Sequence, residues 1–326
     1  MKGIKAVLIA LVFGAAIGLF FAIVTEGGFI SSGTGVKQIF TWKKFGETRE
    51  EEKEPEVADG GETQSIEEAA EEKSTQAASV DDVDMTQELQ SGMDALDYPL
   101  HDYDLSAFDG EENGPRYYAD TEHYISRFGI DVSEHNGQID WEQVRLAGYS
   151  FAFIRLGYRG YEEGKLNLDA RFYENLEGAK AAGLDVGVYF FAQALDREEA
   201  ISEAEFVLEH LGDTELQLPV IYDPEAIPFD EARTDQTTGT QFSENTKVFC
   251  DAIRASGYEA GYYANLKWEV FMMDMNLLDD YTVWYAGYEA VPSTPYRFSF
   301  WQYSDQGAVP GISAATDLNL QMIPVE

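Results

Sequence analysis

"LPVIYDPEAI", residues 218–227, runs apolar and β-favouring residues into Asp223, Pro224 and Glu225 before turning apolar again. Along a strand, residues i and i+2 face the same way, so the two carboxylates share a face and Pro224 takes the other. Proline has no N–H to donate to a ladder, so it belongs where a strand is ending. The question is what surrounds a strand that ends in two acids.

Working outward, "FGIDVS", "FAFIRLGY", "DVGVYFFAQA" and "EAGYYAN" each read as a further buried strand, with amphipathic stretches between them. In "DREEAISEAEFVLEHLG", Asp196 is placed to cap a helix and Glu199 to reach back, while Ala200, Ala204, Val207 or Leu208, and Leu211 form the apolar stripe. "LDARFYENLEGAKAAG" aligns Phe172, Leu176 and Ala179, with Gly183 as a C-terminal stop. Beyond Met273 the helical patterns cease, and "YTVWYAGY", "FSFWQYS" and "AATDLNL" read as three more strands. The order is (βα)5β3, an α/β arrangement with enough strands to close a TIM-like barrel, whose sites lie at the carboxyl ends of the strands.

That geometry predicts a mouth where acids converge. Asp131 closes "RFGID", Asp223 and Glu225 end the quoted strand, and Asp317 sits in the final one. A single strand-terminal Asp is ordinarily a cap or a turn residue. Two like charges a few ångströms apart instead raise at least one pKa and destabilise the fold, which suits a general acid beside an ionised partner. Aromatic residues cluster in or beside the same strands: Tyr189, Phe191, Tyr262, Tyr263, Trp284, Tyr285, Tyr288, Trp301 and Tyr303. Alternation places some in the core and leaves others to present ring faces at the mouth. Tyr189, Phe191, Tyr263, Trp284, Tyr288 and Trp301, with Gln302, are the candidates for substrate contact.

Composition removes other chemistries. The formal charge of the 326-residue chain is -38, and no Lys/Arg cluster is visible, which argues against nucleic acid. Cys250 is the only cysteine, so no disulfide forms within one chain, and "TKVFCDAI" turns it toward an apolar helix face as a structural thiol. With four histidines and neither an HExxH nor a GxSxG motif, zinc and serine hydrolysis lack their parts. The expectation is chemistry with no metal and no cofactor.

The amino terminus differs from the rest. Lys2 and Lys5 precede 19 uncharged, largely apolar residues, Ala6 to Val24. As a helix rising about 1.5 Å per residue this run nearly matches the ~30 Å hydrocarbon core, so residues 1–25 read as a transmembrane signal anchor, with a cleavable signal peptide as the competing reading. Residues 26–113 read as a disordered acidic linker: residues 47–112 hold 23 acidic and 3 basic side chains, with too little apolar surface to fold. "SSGTGVK" near its start lacks a full phosphate-loop motif and is read as linker. Residues 114–326 form the expected barrel, itself acidic.

Six stretches together carry a resemblance: "GIDVSEHNGQIDW", "FAFIRLGYRG", "AKAAGLDVGVYFFAQA", the Asp-x-Glu of "YDPE", "VWYAGY" and "FWQYSDQGAVPGISAATDLN". In this order, from about Phe128 to the C-terminus, they resemble glycoside hydrolase family 25, the N-acetylmuramidase lysozymes. The resemblance implies a flattened (βα)5β3 barrel that cuts the β-1,4 bond between N-acetylmuramic acid and N-acetylglucosamine in peptidoglycan. It implies Glu225 as general acid, with Asp131, Asp223 and Asp317 as the other active-site carboxylates. Two mechanisms stay open: Asp223 orients a substrate acetamido group that serves as nucleophile, or Asp131 or Asp317 holds water or attacks directly. The partners expected are glycan strands and, through the N-terminal helix, the cell membrane, with a monomeric catalytic domain on its outer side. A non-catalytic glycan-binding domain and a hydrolase of a related acetamido-polysaccharide such as chitin are the competing functions.

Overall fold

The computed structural model describes residues 7–11, 20–25, 28–33, 36–41, 91–93, 97–227 and 230–325. The chain divides into two units, Met1–Glu68 and Ala69–Glu326. In the first, strands β1 (Val7–Leu11), β2 (Phe20–Thr25), β3 (Gly28–Gly33) and β4 (Val36–Thr41) pair antiparallel in sequential order. This corrects the helix expected over Ala6–Val24: Val7 to Leu11 pair with Val24 to Phe20 instead. An uninterrupted apolar run has no periodicity to separate helix from strand, and Val7, Ile9, Phe20, Phe21, Ile23 and Val24 are β-branched or aromatic. Among the described residues no helix is long and apolar enough to cross a membrane. Most of the expected linker, residues 42–90 and 94–96, lies outside the described residues.

In the second unit each expected barrel strand forms. They are β7 (Tyr124–Val132), β8 (Phe151–Arg159), β10 (Asp185–Ala192), β11 (Val220–Pro224), β12 (Ala260–Asn265), β13 (Thr282–Ala286), β14 (Phe300–Gly307) and β15 (Thr316–Pro324); β5 (Phe108–Gly110), β6 (Arg116–Tyr118) and β9 (Leu166–Leu168) are accessory. Helices α1 (Trp141–Leu146), α2 (Phe172–Ala182), α3 (Arg197–Leu211), α4 (Gly239–Ala255) and α5 (Leu266–Phe271) follow β7, β8, β10, β11 and β12 in turn. The first seven barrel strands pair parallel from β7 to β14. β15 runs antiparallel to both β14 and β7 and closes the ring.

Local signals behave as their chemistry requires. Asp196 accepts from Glu199 N at 3.0 Å, and Glu199 reaches back to Leu195 N at 2.9 Å, so the start of α3 satisfies two otherwise unpaired N–H groups. Gly183 ends α2 in the left-handed conformation at φ 82. The barrel interior is filled by Phe151, Phe153, Leu218, Ile221, Trp284 and Phe300. Gly129 and Gly187 make room for this plug, since a Cβ at either would lie 2.5 Å from the ring of Phe151 or Phe153. A second apolar layer, including Ile130, Ile154, Val188, Tyr222 and Tyr262, packs outside the strands.

The boundary expected between linker and barrel at residues 113 and 114 is too late. Tyr98, Tyr103 and Phe108 are buried. Tyr103 stands edge-on to Phe298 with centroids 5.0 Å apart and donates to its carbonyl at 2.6 Å, while Phe108 meets Trp301 at 5.4 Å. The physical cause is topological. The last three strands carry no helices, so their outer face needs another cover, and aromatic residues spaced among the acids of 97–118 supply it. Burying each such ring contributes about 2 kcal/mol. A chain starting at Gly114 should therefore melt roughly 10 °C or more below one starting at Ser91, at about 2–4 °C per kcal/mol for a domain this size. Equal midpoints in a calorimetric comparison would show that the segment contributes no stability.

Candidate active site

Three strand ends bring four carboxyl groups to one mouth. Asp131 lies at the end of β7 and Asp223 at the end of β11, with Glu225 immediately beyond. Asp317 is the second residue of β15, and it reaches the same mouth because that strand runs in reverse: Asp317 pairs directly with Asp131. A cavity of about 410 Å³ opens there, lined by all four acids and by Tyr189, Phe191, Tyr263, Trp284, Tyr288 and Gln302. A neighbouring cavity of about 500 Å³ shares Glu225, Tyr263 and Tyr288 and extends the groove toward Trp268.

Trp301, expected at the mouth, is not there. It sits one residue out of phase with Phe300 and Gln302, so it faces outward. Its indole donates to Gly287 O at 2.7 Å, and the Arg116 guanidinium lies 5.2 Å from its ring. Trp301 is fully buried, covered by Phe108 and Arg116, and has no access to substrate. Tyr262, Tyr285 and Tyr303 are likewise buried in the outer layer.

Hydrogen bonds orient the site in one direction. Trp284 Nε1 donates to Asn319 Oδ1 at 2.8 Å, and Asn319 Nδ2 donates to Asp131 Oδ2 at 2.7 Å. Tyr263 and Tyr288 donate to Gln302 Oε1 at 2.8 and 2.9 Å, and Gln302 Nε2 donates to the same Asp131 oxygen at 2.9 Å. An indole N–H is a donor only, so the Asn319 amide has one allowed orientation, and its N–H must point at Asp131. Gln302 therefore supports a carboxylate from within the wall. Asn319 went unmarked in the sequence, although its spacing of two from Asp317 puts both on one face. Arg155 was also missed; it is the lone charge in "FAFIRLGY", lines the cavity, and is bound by Asp169 at 2.8 Å and Glu134 at 3.3 Å.

Burial dominates the acid–base properties. It raises Asp131, against the pull of the Asn319 and Gln302 amides, and lifts Asp317 to about 9 with the help of the Asp131 charge. Burial lifts Glu225 to about 7, opposed by a hydrogen bond from Asp223 and reinforced by Asp131. Asp223 stands well above the carboxylate range through burial and the neighbouring Glu225 and Asp131 charges. Each of the two carboxyls acts on the other's proton affinity, so Asp223 and Glu225 titrate as a pair. Asp223 Oδ1 is buried and accepts no hydrogen bond from the protein. Among the described residues no group of three or more His, Cys, Asp or Glu side chains is arranged to hold a metal ion. Cys250 is buried behind β12, and burial pushes its thiol up, away from the reactive thiolate.

A model of Glycosyl hydrolases family 25 matches residues 130–312, more than half of the chain. The chain belongs to this family. The matched stretch contains Asp131, Asp223 and Glu225, and Asp317 lies five residues past its end. Among family relatives, the autolytic lysozyme of Clostridium acetobutylicum is 28% identical over 193 residues, 59% of this chain and 54% of that protein. Lysozyme M1 of Streptomyces globisporus is 30% identical over 201 residues, 59% of this chain and 66% of that protein. The chain thus spans between about half and two thirds of these relatives. The crystal structure of the bacterial lysozyme from Streptomyces coelicolor superposes with a TM-score of 0.51 at 27% identity, covering 59% of this chain and 90% of that one.

Raised carboxyl pKa values make stability depend on pH. A group that binds its proton more tightly folded than unfolded contributes stability that is full below the unfolded range, about 4, and is lost as pH rises through its folded value. With Glu225 near 7 and Asp317 near 9, that loss runs from about pH 4 to neutrality for Glu225 and on to about pH 9 for Asp317. The urea midpoint should be lower at pH 8.5 than at pH 5.5, and Asp317→Asn should narrow the gap. A midpoint that rises over this interval would mean that the four acids ionise freely in the folded protein.

Proposed function

We propose that this chain hydrolyses the β-1,4 bond between N-acetylmuramic acid and N-acetylglucosamine in peptidoglycan, with Glu225 as general acid and assistance from the substrate's own acetamido group. The observation that carries this reading is the Asp223–Glu225 pair at the head of an aromatic-lined groove: two neighbouring carboxyls, Asp223 buried and Glu225 partly exposed, and one buried Asp223 oxygen with no donor from the protein. The two relatives, both lysozymes by name, point the same way.

The steps follow from where the proton resides. An acetamido N–H donated to Asp223 Oδ1 stabilises the ionised form of Asp223, which leaves the pair's proton on Glu225. Glu225 then gives that proton to the glycosidic oxygen as the C1–O bond breaks, and the acetamido carbonyl oxygen forms a bond to C1 from the other side. Positive charge spreads onto the acetamido group, next to the Asp223 carboxylate. In the second half Glu225, now a base, takes a proton from water as its oxygen bonds to C1 and releases the acetamido oxygen. Asp131, held by Gln302 and Asn319, supports the developing cation electrostatically, and Asp317 keeps a proton and binds Asp131. Tyr189, Phe191, Tyr263 and Tyr288 offer faces and edges to sugar rings, and Trp284, 1% exposed, packs beneath Tyr189 and Tyr263.

All four acids come from one chain, so a monomer suffices. Because peptidoglycan lies outside the cell membrane, export is part of the proposal; the apolar run that follows Lys2 and Lys5, of the composition of an export signal, supports it. Protease added to intact spheroplasts should digest the catalytic unit, and protection until lysis would contradict export.

The reaction itself is tested by reducing-end release from purified peptidoglycan, with chitin and buffer beside it. Glu225→Gln keeps shape but has no proton to give, and turnover should fall by about 10²–10⁴-fold while binding survives. Asp223→Asn should slow the reaction and move the alkaline limb of the pH–rate profile downward, because the Glu225 proton is harder to remove beside an ionised Asp223 than beside a neutral amide. Near-normal turnover in Glu225→Gln would remove that residue from the mechanism. Equal cleavage of chitin would redirect the substrate, and binding without cleavage by the wild type would leave a glycan-binding domain.

A further inference from the structure

Next to the mouth lies a buried polar cluster that the chemistry above does not use. Gln193, one residue past the end of β10, is 1% exposed and does not line the catalytic cavity. Its main-chain N–H donates to Glu203 at 3.2 Å, and its main-chain carbonyl accepts from Arg233 at 3.1 Å. Its side-chain Oε1 accepts from the Thr234 hydroxyl at 2.7 Å, and its Nε2 donates to the main-chain carbonyl of Glu225 at 2.7 Å. A carbonyl only accepts, so the N–H end of the Gln193 amide must face Glu225.

That bond meets Glu225 where the barrel stops holding it. Pairing of β11 with β10 ends at Ala192 and Pro224, and pairing with β12 ends at Tyr222 and Tyr262. Pro224 has no N–H to extend either ladder. Glu225 therefore projects from backbone beyond the last paired residue on both sides. The group that reaches it is itself anchored: Glu203 accepts from Arg159 at 2.7 Å and from Tyr222 at 3.0 Å, and Arg233 grips both carboxylate oxygens of Glu199 at 2.8 and 2.7 Å. Arg159 also reaches Gly164 O at 2.7 Å and Ser202 Oγ at 2.7 Å. Strand β8, helix α3 and the loop bearing Arg233 and Thr234 thus converge on one glutamine.

We infer that Gln193 is a positioning residue for Glu225, holding the carbonyl from whose residue the acid projects toward Asp223. The inference rests on the reading of Glu225 as general acid. Gln193 acts through backbone placement and touches no substrate. Misplacement of a reacting group by about 1 Å costs on the order of 10²-fold in rate, so a bond remote from the reacting atoms has leverage on turnover.

The test compares Gln193→Leu, Gln193→Glu and Thr234→Val with wild type on peptidoglycan from pH 5 to 8. In Gln193→Leu, kcat should fall by roughly 10- to 100-fold with KM within about twofold, the pattern of a misplaced catalytic group. The substituted carboxyl of Gln193→Glu sits among Glu203, Glu225, Arg159 and Arg233; protonated, it has an O–H for the Glu225 carbonyl, and ionised, it has no donor. Its turnover relative to wild type should be high at pH 5 and should decline to the leucine level by pH 8. Thr234→Val, which frees the amide to rotate, should give a smaller loss at unchanged KM, and it decides the matter if Gln193→Leu does not fold. Wild-type kcat in Gln193→Leu or in Thr234→Val overturns the inference, as does a Gln193→Glu enzyme at the leucine level at every pH. Should the wild type itself cleave no glycan, the functional reading fails separately. Titration of Glu225 followed by NMR of its labelled carboxyl carbon then decides for Gln193, and an unshifted curve in Gln193→Leu overturns it.

Discussion

Closure of the barrel by one reversed strand is the constraint on which the rest depends. β15 enters antiparallel between β14 and β7, so its first residues, not its last, arrive at the carboxyl-end mouth. Asp317 is thereby opposed to Asp131, and Asn319, two residues on, is turned to the same inner face to donate to Asp131. Had β15 run parallel, those side chains would lie at the opposite end of the barrel, and Asp131 would have lost a neighbour and a donor. The same closure leaves the final three strands without helices, and the apolar face so exposed is what the aromatic residues of 97–118 cover.

The mouth stores unfavourable electrostatics. Burial raises all four carboxyls, neighbouring charges add to the rise at Asp223, Glu225 and Asp317, and among the described residues lining the cavity Arg155, already bound to Asp169 and Glu134, is the one arginine or lysine. The structure offsets the cost in two ways. It leaves protons on the acids, as at Asp317, and it aims amide N–H groups at Asp131 through Gln302 and Asn319. Both amides are directional, because each is oriented by a donor behind it, the Trp284 indole or the Tyr263 and Tyr288 hydroxyls. The aromatic side chains near the groove therefore act twice, presenting ring surface toward the cavity and polar tips that set the charge of the wall.

A second buried network, around Glu203 and Arg159, lies against the end of β11. Glu203 is fully buried, and burial pushes it up to about 7 against the pull of the Arg159 guanidinium. Such a network is a poor source of stability compared with apolar packing, but a broken member leaves an uncompensated buried charge, which makes its geometry stiff. Stiffness at the point where the strand ladder gives out at Pro224 is what an acid poised beside Asp223 requires.

Much of this was legible in the residues alone. Alternating apolar strands and striped helices set the (βα)5β3 order, Asp196 and Gly183 marked helix ends, and the spacing of Asp223 and Glu225 placed both acids on one face. These are local properties, set by periodicities of 2 and 3.6 and by side chains within reach of their own backbone. What lay beyond the sequence was phase, direction and cover. Trp284 and Trp301 are both aromatic residues in barrel strands, yet one faces the cavity and the other the outer layer, because a one-residue difference in phase inverts the face and nothing local states which face is inside. The sense of β15, the burial of Tyr98 and Phe108 in an acidic stretch that reads as linker, and the strand pairing of an apolar run that suits a helix equally well all depend on partners distant in sequence. Only the tertiary structure decides them, since each is settled by which surface is available to be buried.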